Sequence, residues 1–531
     1  MSASAASAAP VPAEGAPPAA DKWIIAITVM VPAFMAVMDV SVVNVALPHM
    51  MGSFGQDLSA ITWVATSYSI AEVIMLTMAG WWSALLGRKR LFMASLLLFT
   101  LGSILAGTAT TFTQMIVYRI LQGIGGGSLI PLSQAILRET FPAEQQGMAM
   151  AIYGMGVVLA PATGPVLGGW LTDHYGWAWI FYINVPVSVL GLLLVGAYVH
   201  DPAYLKRGVK SIDWAGIALL SVSLTTLQIL LERGQEENWF ESGLIVACAL
   251  VTGVSFVLLL VWELMTDEPI VDLRLLRNVP LAVGSAMGLV FGLALFGTTF
   301  ILPQFTQELL GYSAFQSGLV LLPRAIALFI CMPLAGWAYQ RLDPRLLVLF
   351  GAGVIVWSYS LLAGLSLQSD FWALIPALVV MGVGMPFMFV TTSTVSLSTV
   401  PRAEMTSASS LYTLARRVGG NIGYAVVATL AAWRSQHHHA RLAEHVTPEN
   451  LAYAELKGRV LGALAGQALP PAAAEHAVHL IAEGAVSRHA RLLAYNDVSV
   501  ATGALFLIIV PLIFLLPGRA RLQQAAQAAE H

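Results

Sequence analysis

The sequence predicts an all-α polytopic membrane protein with about fourteen transmembrane helices, and three observations carry the prediction. Apolar runs of about 18 to 25 residues recur along the whole chain. Of 531 residues, 57% are hydrophobic and 10% charged, with a mean hydropathy of +0.76, against about 25% charged residues in a soluble domain. Basic residues collect in alternate loops, as the bias that orients membrane proteins requires. A net charge of -3 gives no footing for nucleic-acid binding. Cys248 and Cys331 lie inside apolar runs, far apart and without metal-ligand spacing.

Residues 1–22 are rich in Ala, Pro and Ser and are expected to be a disordered tail. Lys22 is the only basic residue ahead of the first run, so the pattern of a cleaved signal is missing and the run reads as a retained span. Apolar runs then fall at 23–47, 60–83, 91–110, 113–136, 147–171, 178–199, 213–231, 243–264, 281–304, 316–338, 345–366, 371–395, 404–432 and 497–516. With both termini in the cytoplasm, the inner side holds Arg88, Lys89, Arg90, Arg138, Lys206, Arg207, Lys210, Arg274, Arg277, Arg341, Arg345, Arg402, Arg519 and Arg521. The short outer loops hold Arg233 beside Glu232, Glu236, Glu237 and Glu241. Residues 433–496 form a long outer loop by this reading, with Ala-rich amphipathic stretches and most of the histidines. His437, His438 and His439 are read there as solvated polar residues, with no cysteine or organised carboxylate to make a metal site.

The fifth run crowds glycine and proline into a membrane-length segment. Gly156, Ala160, Gly164 and Gly168 recur every four residues, with Pro161, Pro165 and Gly169 among them. In lipid such a stretch survives only against other helices, which can approach its small face backbone to backbone. The two halves of the chain also echo each other. Gly80-Trp81 leads into Gly87, Arg88 and Lys89 after the second run, and Gly336-Trp337 leads into Arg341 and Arg345 after the tenth. Two similar bundles separated by an inserted pair place the loops this way, an arrangement common in secondary transporters. The expected organisation is a tail (1–22), a first six-helix bundle (23–199), a linker with two inserted helices (200–264), a second six-helix bundle including the 433–496 loop (265–516), and a tail (517–531).

A carboxylate at the centre of a span costs about 2.5 to 3.5 kcal/mol on insertion scales, so it is kept where it faces protein or water. Asp39 in the first run and Glu72 midway through the second are such groups, and both are candidates for binding and releasing a proton. Arg119 in the fourth run is the expected counter-charge of Asp39; a fixed bridge between two helices is the alternative. Moving one charge through about 150 mV yields about 3.4 kcal/mol, so a proton gradient can drive transport without ATP. The chain lacks a phosphate-binding Gly-x-x-x-x-Gly-Lys-Ser/Thr loop, and no metal or cofactor is expected. A substrate cavity should be apolar with a few polar positions. Asn44, Gln122, Gln134, Tyr153, Phe296, Phe300, Gln304, Met385, Phe389 and Tyr412 are its candidates, with Arg324 and Arg416 as second-half charges, Arg324 either facing an anionic substrate or sealing the interface.

Five segments in order resemble the major facilitator superfamily, and within it the fourteen-span drug:proton antiporters of the Emr/Qac type. They are Met38 to Pro48, Gly80 to Arg90, Tyr118 to Gly127, Gly156 to Gly169, and Ser409-Ser410-Leu411 with Arg416 and Gly419 to Gly423. The resemblance implies two six-helix bundles rocking about a central cavity, two extra helices between them, and outward export of hydrophobic or amphipathic drugs driven by protons. It makes Gly156 to Gly169 the antiporter motif and Gly80, Gly87, Arg88 and Lys89 a cytoplasmic gating loop. It also suggests a bacterial inner membrane, and a periplasmic adaptor with an outer-membrane channel as partners of the outer loop. The gating loop departs from the family pattern: Ala84 stands where an aspartate is usual, and Gln340 where its second-half counterpart would be. A dedicated exporter of one metabolite such as a fatty acid or siderophore is the alternative; a transporter-like sensor or a membrane enzyme fits less well.

Overall fold

The protein is described here by a computed structural model covering residues 19–201, 212–447, 449–464 and 470–519. The basic residues Lys206, Arg207, Lys210 and Arg521 and most of both expected tails lie outside these residues, as do the side chains of Phe296 and Phe300. Fourteen long helical segments follow one another: α1 (Ala19–Phe54), α2 (Trp63–Leu86), α3 (Arg88–Gly107), α4 (Phe112–Thr140), α5 (Gln146–Tyr175), α6 (Trp179–Tyr198), α7 (Trp214–Arg233), α8 (Gly243–Met265), α9 (Val279–Gln304), α10 (Ala314–Arg341), α11 (Pro344–Leu362), α12 (Phe371–Ser396), α13 (Met405–Ala443) and α14 (Pro471–Leu505). Side-chain caps fix several starts. Thr111 and Ser313 form capping boxes with Gln114 and Gln316, while Asp213, Asp343 and Asp370 accept from backbone amides of the first turn.

Each expected apolar run falls on a helix. Among the described residues, eleven helices are long and apolar enough to cross a bilayer, and α5, bent by 46° about Pro161 and Thr163, makes twelve. A count of fourteen needs α9 and α13 as well. Of these two, α13 carries two adjacent arginines, Arg416 and Arg417, in its middle.

Two expected boundaries shift. Helix α1 begins at Ala19, inside the expected 1–22 tail. The stretch 433–496 is mostly helix rather than loop: α13 runs on through Ala443, a short helix spans Leu451–Leu464, and α14 starts at Pro471. The cause is composition, because the segment after residue 432 is rich in alanine and free of proline until Pro448, so nothing stops the helix at the membrane edge. The two extensions are pinned together: Arg434 and His438 both meet Asp497, at 2.5 and 2.6 Å, and His439 meets Glu483 at 2.7 Å. The three histidines are thus occupied by these carboxylates and by a stack of His437 on Trp433.

Within the first half α1 packs along α5; within the second, α9 packs along α13. The halves meet most extensively at two crossings, α2 with α13 and α5 with α10, and also where α5 meets α12 and α4 meets α13, while α7 and α8 pack on each other and α7 leans on both α2 and α13. Glycine makes each crossing possible. A Cβ on Gly80 would lie 2.7 Å from Ser407 Cα, and one on Gly336 would lie 2.9 Å from the Gly147 carbonyl. The repeated Gly-Trp pairs thus mark equivalent points where the two halves touch, near the basic loops.

Candidate functional site

Asp39 on α1 lies at the centre of a network confined to the first half. Its Oδ2 is 2.5 Å from Arg119 Nη1, and its Oδ1 accepts from Gln122 Nε2 at 2.9 Å and Asn184 Nδ2 at 3.0 Å. Arg119 also donates to Gln122 Oε1 at 2.6 Å and to the Val64 carbonyl at 2.9 Å, and its guanidinium sits 4.3 Å from the centre of the Tyr68 ring. Ser103 accepts from both Gln122 and Asn184 and donates to the Phe181 carbonyl. Five helices, α1, α2, α3, α4 and α6, are tied by this one buried set. Arg119 meets Asp39 as expected, and Gln122, a candidate for the substrate cavity, is hydrogen-bonded within this network. Asn184 is a member that sequence reasoning misses; a lone amide in the apolar sixth run is its signal.

Glu72 has a different partner from any the sequence suggests. It pairs with Arg417 Nη2 on α13, so this ion pair joins the two halves. Glu72 is 1% exposed and Arg417 15%. Arg416, the second-half charge expected at the cavity, points elsewhere, since successive residues on a helix face about 100° apart. Gly123 and Gly127 of α4 back directly onto the Glu72 main chain: a Cβ on Gly127 would lie 2.4 Å from its carbonyl. That close approach holds Glu72 away from lipid and toward α13.

The aromatic cluster lies where the halves face each other. Tyr153 of α5 stacks on Phe389 of α12 with centroids 6.3 Å apart, Phe291 approaches the same ring at 6.2 Å, and the Arg416 guanidinium sits 5.2 Å from it. Tyr412 meets Thr392 at 3.3 Å, and Thr413 bonds Gln134 across the halves at 3.3 Å. Met385 is buried beside Phe389 in the same core. The structure therefore brings Gln134, Tyr153, Phe389, Tyr412 and Arg416 together where the halves meet. Asn44 is exposed and Gln304 half-buried, and Arg324 is buried in the second half with Nη1 unpartnered among the described residues. A small, partly open cleft lies instead among Ile301, Phe305, Tyr359, Tyr495 and Thr502 of the second half, and no described candidate lines it.

The small face of α5 packs against α1 of its own half. A Cβ on Gly164 would meet Ser41 Cβ at 2.5 Å, one on Gly168 would meet Val42 at 3.0 Å, and one on Gly156 would meet Met30 at 3.1 Å. Ala160 is fully buried, Pro161 and Pro165 are half-buried at the bend, and Gly169 is loosely packed. Contact between α5 and the other half comes through Gly147, Ala151 and Gly154, where Gly154 faces Phe389 and Met332. At the basic end, Gly87 takes φ +84°, a value glycine reaches without strain, and ends α2. Arg88 pairs with Glu139 at the end of α4 and reaches across to the second half, donating to Thr406 Oγ1 at 2.9 Å and the Arg402 carbonyl at 3.0 Å. Lys89 is held by Asp201 and the Gly196 carbonyl. Glu139 supplies the acid that Ala84 does not.

The sequence model of the Major Facilitator Superfamily matches residues 29–424. The multidrug export protein EmrB of Escherichia coli K12 is 33% identical over 500 residues, covering 92% of this chain and 94% of its own. The fatty acid resistance protein FarB of Neisseria gonorrhoeae is 32% identical over 489 residues, covering 91% and 93%. Among solved structures, the human organic anion transporter MFSD10 superposes with a TM-score of 0.57 at 13% identity over 94% of this chain and all of that one. The proton:xylose symporter XylE superposes with the same score at 14% identity, over 93% and 96%; at such identities the likeness concerns the fold. A helical membrane chain whose two halves cross through paired glycines, matched along most of its length by such relatives, belongs to the Major Facilitator Superfamily and, within it, to the Emr-type transporters.

Proposed function

We propose that this chain is a proton-driven exporter of hydrophobic or amphipathic drugs, working by alternating access in a bacterial inner membrane with both termini and the basic loops in the cytoplasm. The observation that carries the coupling is the Glu72–Arg417 pair, because it is buried and bridges the halves. Removing one partner of a buried pair costs about 3 to 5 kcal/mol, and one proton moving through about 150 mV supplies about 3.4 kcal/mol. Protonating Glu72 therefore releases a contact whose strength is of the order of one coupling proton. The Asp39–Arg119 network stays within one half and serves as the rigid frame against which Glu72 moves. Substrate binds between Tyr153, Phe389, Tyr412 and Arg416, where apolar rings and a few polar groups meet at the interface of the halves. All fourteen helices span the bilayer on this reading, and the helical extensions of α13 and α14 that meet through Arg434–Asp497 and His439–Glu483 contact a periplasmic adaptor leading to an outer-membrane channel.

The EmrB-type relatives support export of several compounds, while the likeness to FarB favours a second reading, a dedicated exporter of a single metabolite such as a fatty acid. Proteoliposomes with an imposed pH gradient and a panel of cationic, neutral and anionic amphiphiles separate the two. Uptake of several classes, abolished by collapsing the gradient, is the expected outcome; gradient-independent movement contradicts the reading, and movement of one compound alone selects the second.

A further inference from the structure

We propose that Glu232, at the outer end of the inserted helix α7, is the proton-loading site that feeds Glu72, so that the inserted pair takes part in coupling. The inference rests on Glu72 being the coupling carboxyl. Both oxygens of Glu232 are engaged inside the protein: Oε2 accepts from Thr66 Oγ1 of α2 at 2.5 Å, and Oε1 accepts from Gln228 Nε2 of its own helix at 2.5 Å. Gln228 in turn accepts from Asn421 Nδ2 of α13 at 2.5 Å. One carboxyl on the inserted helix is thus wired to both helices that carry the Glu72–Arg417 pair. Arg417, on the same helix as Asn421, holds the Glu72 carboxylate.

Access falls in steps from solvent inward. Glu236 is exposed one turn beyond Glu232, Glu232 is half-buried, and Glu72, six residues after Thr66 on α2, is 1% exposed. The charged and titratable groups facing Glu232 are Arg233 and Glu236 on its own segment, Arg417 and Tyr424 on α13, and through Arg417 the Glu72 carboxyl. Arg233 itself is occupied with the Ser59 carbonyl at 2.6 Å and the Trp63 ring, which fixes the end of α7 against α2. A proton taken from water neutralises Glu232, and transfer of that proton to Glu72 breaks the Glu72–Arg417 pair and restores the Glu232 carboxylate. No other reactant is needed. A half-buried, hydrogen-bonded carboxyl at the end of a helix that merely spaced the bundles would have no such link to α13.

The test uses the full-length protein in proteoliposomes. Glu232→Gln keeps the hydrogen-bonding shape and is expected to lower gradient-driven efflux and substrate-induced proton release by about tenfold, the factor one displaced pKa unit represents, while substrate affinity without a gradient is unchanged. Glu232→Asp restores part of the proton release. In the wild type, a hydrophobic carbodiimide, which reacts with protonated carboxyls, is expected to label Glu232 in acidic buffer and less in alkaline buffer, with substrate altering the labelling; this reading stands even if Glu232→Gln does not fold. Wild-type proton release and pH profile in Glu232→Gln, or no labelling of Glu232 at any pH, overturns the proposal. If Glu72→Gln abolishes coupling and Glu232→Gln does not, only the loading site falls; if Glu72→Gln leaves coupling intact, the reading beneath it falls too.

Discussion

Gly80→Ala is expected to push the protein toward the state in which its basic end is open. In the structure that end is closed, and a Cβ at residue 80 would lie 2.3 Å from Ser407 Oγ, 2.7 Å from Ser407 Cα and 2.8 Å from Ser407 Cβ. The hydroxyl can rotate away, but the Cα belongs to the α13 backbone and cannot, so the two helices must separate. Overpacking of this kind costs about 1 to 3 kcal/mol, and the cost falls only on the closed state, where α2 and α13 touch. The closed population is then reduced by about 5 to 150-fold relative to the open one. The assay is a pair of spin labels at exposed positions flanking the crossing, with distances measured in lipid for wild type and variant. Gly336→Ala acts on the equivalent crossing, where the added carbon would lie 2.9 Å from the Gly147 carbonyl and 3.1 Å from Met148 Cα, and it should shift the distribution the same way. Ser407→Gly in the Gly80→Ala background removes the side-chain clash but leaves the new methyl pressed against the α13 backbone, and so restores the closed state in part. Distances in Gly80→Ala unchanged from wild type, in protein that folds normally, would refute the argument that this crossing opens during transport.

Asp39→Asn leaves Arg119 buried without its anion, and the melting temperature in detergent should fall as expected for a loss of about 3 to 5 kcal/mol; an unchanged melt would show that the network is not a frame. Phe389→Ala removes the ring shared by Tyr153, Phe291 and Arg416 and should raise half-saturating concentrations for aromatic substrates while leaving the Glu72 proton step intact; equal transport of every compound in the panel argues against the cluster as binding site. Replacing residues 444–470 by a short linker keeps the Arg434–Asp497 contact and should spare transport in proteoliposomes but abolish drug resistance in cells. Full resistance in cells would remove the adaptor from the account.

Apolar runs made the helices legible because lipid imposes one solution on the backbone, and Asp39 with Arg119 was legible because a buried charge must find its opposite. Glycines at 80 and 336 also announced themselves, as a repeat. What the sequence hid was helix phase and partner choice. Nothing in Arg416-Arg417 says which guanidinium meets Glu72 and which meets Phe389, since that depends on how α13 is rotated against α2. Glu139 and Glu232 stand at the ends of apolar runs among residues that read as solvated loop, and only the packing of α4 and α7 against neighbouring helices engages them. The boundary near residue 433 is hidden for a simpler reason: hydropathy marks where a membrane ends, whereas an alanine-rich helix continues into water.

The central claim is that the pair between the halves carries the coupling proton. Substrate-induced proton release by purified protein, followed with a pH indicator in wild type and in Glu72→Gln, tests it most directly. The account predicts release from wild type and none from Glu72→Gln, with substrate still bound. Release of the same size from a Glu72→Gln variant that binds substrate would contradict it.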